Sequence, residues 1–252
     1  MHRNVATTMM RDRIVPDWSA HSNVRALTTL RQGGVSRGAY AGLNLATHVG
    51  DDPLSVAENR ALLRTSLALP TEPCWLDQVH STGVVAATST EVCRADASYA
   101  FHGGLVCAVL TADCLPVLFC DSAGTRVAAA HAGWRGLLAG VLEQTVAALG
   151  ADPASLLAWL GPAIGPSAFE VGAEVRDAFL AVDARAEDAF QPSPSGRWLA
   201  DLYQLARLRL NAVGVENIYG GGFCTFSDPQ QFYSYRRDGA CGRMASLIWL
   251  VD

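Results

Sequence analysis

The sequence predicts one α/β domain. Three observations carry this: short apolar runs rich in β-branched residues, stretches of helical spacing set among them, and neither a linker nor an internal repeat within the 252 residues. Residues 1–20 read as a loosely ordered lead-in and 21–252 as the domain.

Residues 24–30 read as a strand that enters a Gly-rich turn, Arg31-Gln32-Gly33-Gly34-Val35-Ser36-Arg37-Gly38. Successive N–H groups in such a turn can make an anion nest, although a purely structural role is commoner. Asn44 and His48 follow in a polar loop. Asp52 then caps a helix over 54–67, with Pro53 in its first turn and Val56, Leu62, Leu63 and Leu67 on its packed face. Residues 74–80 form a short strand that ends at His80 and turns at Ser81-Thr82-Gly83; a further strand delivers Asp96.

The centre of the chain runs CAVLTADCLPVLFCDSAGTRVAAAHAGWRG from Cys107 to Gly136. Apolar runs at 105–110 and 115–120 flank Thr111-Ala112-Asp113-Cys114, and a turn at Asp121-Ser122-Ala123-Gly124 leads to a third run, 126–130, before His131. Cys114 and His131 are therefore expected at breaks between strands, where side chains converge on a cleft. A thiol, a carboxylate, an imidazole and a guanidinium (Cys114, Asp113, His131, Arg135) in so short a span mark a site.

Residues 137–149 have helical spacing and stop at Gly150. A strand at 156–160 runs into the proline-stiffened loop Gly161-Pro162-Ala163-Ile164-Gly165-Pro166. Residues 170–182 and 198–213 read as amphipathic helices, 215–219 and 223–226 as strands, and 245–251 as the last strand, after the aromatic segment 232–239.

Composition excludes several function classes. Half of the chain is apolar and 17% charged, and a net charge of −5 leaves no footprint for nucleic acid or an anionic membrane. All 19 basic residues are Arg, which removes Schiff-base and P-loop lysine chemistry. No apolar run reaches the ~18 residues of a membrane span, and the first 20 residues lack a signal-peptide hydrophobic segment. Seven scattered cysteines without CxxC indicate neither a disulfide framework nor a zinc ribbon, and a reducing cytoplasm is the expected location.

Of six histidines, His80 and His131 share strand ends with the central chemistry. Two imidazoles and a thiolate (His80, Cys114, His131) suffice as a catalytic zinc shell with one position open. Their spacing matches no local zinc motif, so a Cys114–His131 nucleophilic pair and an inert buried cysteine stay open beside it.

Six segments carry a resemblance: TTLRQGGVSRGAYAGLNLATHVGDDP (28–53), DQVHSTG (77–83), LTADCLPVLFCD (110–121), AHAGWRG (130–136), GPAIGPSAFEVG (161–172) and CTFSDPQQFYSYRRDGACGRMASLIWL (224–250). Together they resemble the YfiH/laccase-domain family, variously labelled polyphenol oxidase, purine nucleoside phosphorylase and peptidoglycan editing factor. The match runs from about residue 25 to the C-terminus. Two departures stand out, Ser167-Ala168 after the IGP loop and Cys241 before GRMA; neither touches a ligand.

The resemblance implies a single-domain layered α-β-β-α sandwich with mixed sheets, and it places the family's metal ligands on His80, Cys114 and His131, with zinc rather than copper. It also implies phosphorolysis of adenosine, inosine, guanosine and methylthioadenosine, with deamination of adenosine. The partners so implied are a purine nucleoside and phosphate, with no nucleic acid or membrane, and the chain is expected to be a monomer or a weak homo-oligomer. Phosphorolysis needs an anion site, for which Arg31, Arg135, Arg236 and Arg243 are the expected clamps. Arg135 stands where a helix begins after His131, a place that favours phosphate. Asp77, Asp96, Asp113 and Glu170 are possible proton carriers, and Asp113, next to Cys114, is expected to orient a ligand.

Three other classes compete, of which a non-enzymatic binding module is the least expected, because the reactive groups concentrate in loops at strand ends. A muropeptide-editing hydrolase would use the same Cys114/His131 pair. A multicopper oxidase would need many more paired histidines than six without a single HxH.

Overall fold

Alternate residues of the central strands enter two different apolar layers in the computed structural model, which describes residues 13–251. In chain order the strands and helices begin with β1 (Arg13–Ile14), β2 (Val24–Thr29), α1 (Pro53–Leu67), β3 (Leu76–Asp77), β4 (Val84–Ala86), β5 (Cys93–Arg94) and β6 (Ala97–Ala100). The central strands are β7 (Val106–Thr111), β8 (Leu115–Asp121) and β9 (Val127–Ala132). There follow α2 (Trp134–Ala139), α3 (Val141–Leu149), β10 (Leu156–Leu160), β11 (Glu170–Val171) and α4 (Ala173–Val182). Last come β12 (Phe190–Pro192), β13 (Trp198–Ala200), α5 (Leu202–Ala212), β14 (Asn217–Gly220), α6 (Tyr235–Asp238) and β15 (Met244–Leu250).

One sheet has the order β14-β10-β8-β9-β6-β4 and a second the order β1-β2-β15-β7. The first is mixed, because β10–β14 and β4–β6 pair in parallel while β8 pairs antiparallel with both neighbours. Leu118, Cys120, Val127, Ala129, Leu157 and Trp159 point from it toward Cys107, Val109, Ile248 and Leu250 of the second. The alternate residues Val117, Phe119, Ala128 and Ala130 pack instead against Leu137, Val141 and Leu142 of α2 and α3. Beyond the second sheet, Val106, Ala108, Leu247 and Trp249 meet Leu63 of α1. The layers are thus helix, sheet, sheet, helix, the mixed α/β arrangement expected. Strands buried on both faces explain why β7, β8 and β15 read as unbroken apolar runs rather than alternating ones. Truncating a fully buried side chain such as Phe119 to Ala costs about 3–5 kcal/mol.

Helix α1 starts as expected: the Asp52 carboxylate accepts the N–H groups of Leu54 (3.4 Å) and Ser55 (3.1 Å). Other boundaries differ. The helix expected over 137–149 begins at Trp134 and is cut in two by Gly140, whose φ of 104° ends α2 before α3 starts. The helices expected from 170 and 198 each begin later, because Glu170–Val171 and Trp198–Ala200 pair as strands first. Residues 223–226 form no strand; the Tyr203 hydroxyl donates to the Phe223 carbonyl (3.1 Å) and the Thr225 N–H to the Ala163 carbonyl (3.0 Å), pinning a loop. His131 lies within β9, opposite Pro116, rather than at a break. Of the expected lead-in, 1–12 lies outside the described residues, while Arg13 and Ile14 pair with Thr29 and Thr28. Among the described residues, no helix is long and apolar enough to cross a membrane.

Candidate metal centre

Sheet register brings the ligand-type side chains together. Pro116 pairs with His131, so Cys114, just before β8, lies near Gly133, just past the end of β9. The chain reverses between β7 and β8 with Asp113 at a φ of 85°, a conformation that Asp tolerates better than most residues. His80, in the turn after β3, also has a positive φ, 60°. Such backbone persists only where its surroundings hold it.

Asp96 is what holds it. Its buried carboxylate accepts the N–H groups of Val79 (3.3 Å), His80 (3.0 Å) and Ser81 (2.5 Å), and the Ser81 hydroxyl (2.7 Å). The same carboxylate accepts the Nδ1–H of His131 (2.8 Å), and the Asp96 carbonyl accepts the His131 N–H (2.7 Å). Burial alone would raise the Asp96 pKa, but the hydrogen bonds from His131 and Ser81 bring it down to about 2.

With Nδ1 engaged, His131 has Nε2 free for a ligand. Cys114 Sγ lies 3.7 Å from His80 Nε2, and the ligand atoms of His80, Cys114 and His131 all lie within 4.8 Å of one another. The two imidazoles meet edge to face at 4.8 Å and 71°. A tetrahedral zinc with bonds of roughly 2.0–2.3 Å spaces its ligand atoms roughly 3.3–3.6 Å apart, so small side-chain adjustments close the shell. Gly133 makes room for it: a Cβ there would lie 2.6 Å from His80 Cδ2 and 3.0 Å from Cys114 Sγ. Burial opposes charge on both Cys114 and His131, yet their mutual attraction pulls the thiol pKa down and the imidazole pKa up. In the metal-free pair each group therefore favours the charged form of the other. The residues fit a divalent metal with a preference for sulfur and nitrogen ligands.

The triad opens onto a cleft of about 470 Å³, whose walls include Trp134, Phe169 and Tyr235. Arg135, Arg236 and Arg243 line it too. Arg135 is exposed, its guanidinium 4.4 Å from the Trp134 ring. Arg236 donates to the Glu170 carbonyl (2.9 Å) and Arg243 to the carbonyls of Cys241 (2.8 Å) and Gly242 (3.0 Å). Arg31 does not reach the cleft; it donates to the Pro229 carbonyl (2.9 Å) and lies over Tyr233. Its Gly-rich turn is packed from within, since the Val35 N–H donates to Asn59 Oδ1 (2.8 Å) and a Cβ on Gly34 would lie 2.4 Å from that oxygen.

Asp113 lines the cleft, but both its oxygens are engaged, by the Thr225 hydroxyl (2.6 Å) and the Arg236 N–H (2.7 Å). The carboxylate hydrogen-bonded to a side chain of the triad is Asp96. Glu170 accepts hydroxyls from Ser193 and Ser195 outside the cleft, and Asp77 does not line it. Sequence reasoning left Asp96 unranked and passed over Gly133; the glycine's signal was its place inside HAGWRG, beside a ligand.

Residues 25–251 match the family described as multi-copper polyphenol oxidoreductase laccase. A Pseudomonas aeruginosa protein named purine nucleoside phosphorylase is 59% identical over 240 residues, covering 95% of this chain and 98% of its own. An Escherichia coli protein named purine nucleoside phosphorylase YfiH is 57% identical over 240 residues, 94% of this chain and 98% of its own. The crystal structure of Neisseria meningitidis protein NMB0706 is similar with a TM-score of 0.91 at 53% identity, over 96% of this chain and 100% of that one.

Proposed function

The chain belongs to the multi-copper polyphenol oxidoreductase laccase family; we propose that it is a zinc-dependent purine nucleoside phosphorylase. The observation that carries the reading is a His80/Cys114/His131 shell beside a cleft walled by aromatic rings and arginines. Among the described residues this is the one cluster of three or more metal-ligating side chains, which suits one metal rather than the several coppers of a laccase. Zinc held by His80, Cys114 and His131 would supply a Lewis acid and activate a water as nucleophile near neutral pH.

The substrates are adenosine, inosine, guanosine and methylthioadenosine, and adenosine is also deaminated. Trp134, Phe169 and Tyr235 line the cleft and supply aromatic surface for a purine, with a guanidinium over each ring. Arginines on the cleft wall hold phosphate, whose oxygen forms the new bond to the ribose as the glycosidic pair of electrons leaves with the base. Asp96 keeps His131 in one tautomer and His80 in its strained turn. Seven unpaired cysteines suit a reducing cytoplasm.

A second reading has one observation behind it: a Cys114 thiol within 4.8 Å of the His131 imidazole, which lowers the thiol pKa, is also the arrangement of a hydrolase nucleophile and its base. Incubating the protein with inosine separates the two. Phosphorolysis releases hypoxanthine only when phosphate is present, with one ribose 1-phosphate for each base. Equal release without phosphate overturns the phosphorylase reading.

A further inference from the structure

Two groups on the cleft wall come from segments the triad does not use. His48 lies in the loop between β2 and α1, and Arg243 immediately precedes β15. The His48 imidazole is exposed to the cleft and has no hydrogen-bond partner among the described residues. Arg243 has no carboxylate partner among them; the Cys241 and Gly242 carbonyls instead fix its guanidinium.

Buried Asn44 ties the two segments together. Its Oδ1 accepts the Arg243 N–H (3.0 Å) and the Ala46 N–H (3.1 Å), while its Nδ2 donates to Asp51 (2.8 Å). Gly242 permits this approach, since a Cβ there would lie 2.9 Å from the Asn44 Cβ. Arg60, whose Nε donates to the Leu45 carbonyl (2.9 Å), holds the same loop from the other side. The charged and titratable groups acting on His48 are Arg243, Arg60 and His131 against a single acid, Asp77. Burial and then Arg243 lower its pKa, which favours the neutral ring in positive surroundings.

A fixed guanidinium beside a free neutral imidazole is a receptor for a protonated oxyanion. The planar fork takes two oxygens and the ring nitrogen accepts a hydrogen bond from the remaining P–OH. We propose that His48 and Arg243 form the subsite for the attacking hydrogen phosphate. The proposal deepens the phosphorylase reading and rests on it.

The test uses the zinc-loaded enzyme with inorganic phosphate and inosine. His48→Asn and Arg243→Ala should each raise the phosphate KM at least tenfold, with the inosine KM within twofold and zinc still at one per chain. Arg243→Lys, which keeps the charge but not the fork, guards against misfolding of the Ala variant and should fall between it and the wild type. Calorimetric titration of phosphate alone should show the same order of affinity without turnover. Unchanged phosphate affinity in either His48→Asn or Arg243→Ala would overturn the subsite, as would an equal loss of phosphate and inosine affinity. Phosphate-independent release of base by the wild type would instead sink the phosphorylase reading, and the calorimetry would still judge the subsite.

Discussion

The Asp96 carboxylate and the His131 imidazole, both buried, are joined at 2.8 Å through Nδ1. That contact fixes the tautomer of one member of the proposed metal triad, and the backbone bonds to the same carboxylate fix the turn that carries a second, His80. One side chain therefore controls two ligands of three. Asp96→Asn should weaken zinc binding about 10–100-fold, as read by competition with a chromogenic chelator. Wild-type zinc affinity in this variant would remove Asp96 from the design.

The same residue predicts a pH signature. The folded-state pKa of Asp96 is lowered to about 2 from 3.8, so its contribution is fully present above the unfolded value and is lost as pH falls through the folded one. In urea unfolding of metal-free protein, Asp96→Asn should cost about 2 kcal/mol near neutral pH. The difference should fade between roughly pH 4 and pH 2. A gap that stays constant down to pH 2 contradicts the shift.

Gly133→Ala should separate metal binding from folding. The added methyl would lie 2.6 Å from His80 Cδ2 and 3.0 Å from Cys114 Sγ, so it pushes two ligands apart. Zinc affinity should fall at least tenfold, while the chelated protein melts within a few degrees of the chelated wild type. Full zinc occupancy at wild-type affinity would show that the shell has more room than the geometry allows.

Alkylation distinguishes a ligand thiolate from a free nucleophile. The His131 charge lowers the Cys114 pKa, whereas burial pushes Cys107 and Cys120 up to about 12. In chelated protein Cys114 should react with iodoacetamide far faster than those two; with zinc bound it should be protected, because its thiolate is committed to the metal. Mass spectrometry of the labelled peptides reads this directly. Rapid labelling of Cys114 in zinc-loaded protein would favour the hydrolase.

Much of the layered core was legible in the sequence, because β7, β8, β10 and β15 are buried on both faces and need apolar residues at nearly every position. Helix α1 was legible for the same kind of local reason, its Asp52-Pro53 start. The metal cluster was not legible from spacing. Its convergence depends on the β8–β9 register and on two non-glycine residues with positive φ, His80 and Asp113, and neither is a local property of the chain; the family resemblance supplied it. Arg31 and Arg243 looked alike in the sequence, yet tertiary packing turned one onto Tyr233 and the other into the cleft. Pairing of Glu170–Val171 with Trp198–Ala200 likewise displaced two helix starts that local periodicity alone put too early.

Phosphorolysis should depend on a metal held by His80, Cys114 and His131. The most direct measurement is to strip the purified protein with a chelator, add zinc back stepwise and follow phosphate-dependent hypoxanthine release from inosine. Activity should vanish on stripping, return linearly and plateau at one zinc per chain, and Cys114→Ala should neither bind zinc at that stoichiometry nor recover. Full activity in stripped protein, or restoration by several coppers per chain but not by zinc, would rule out that dependence.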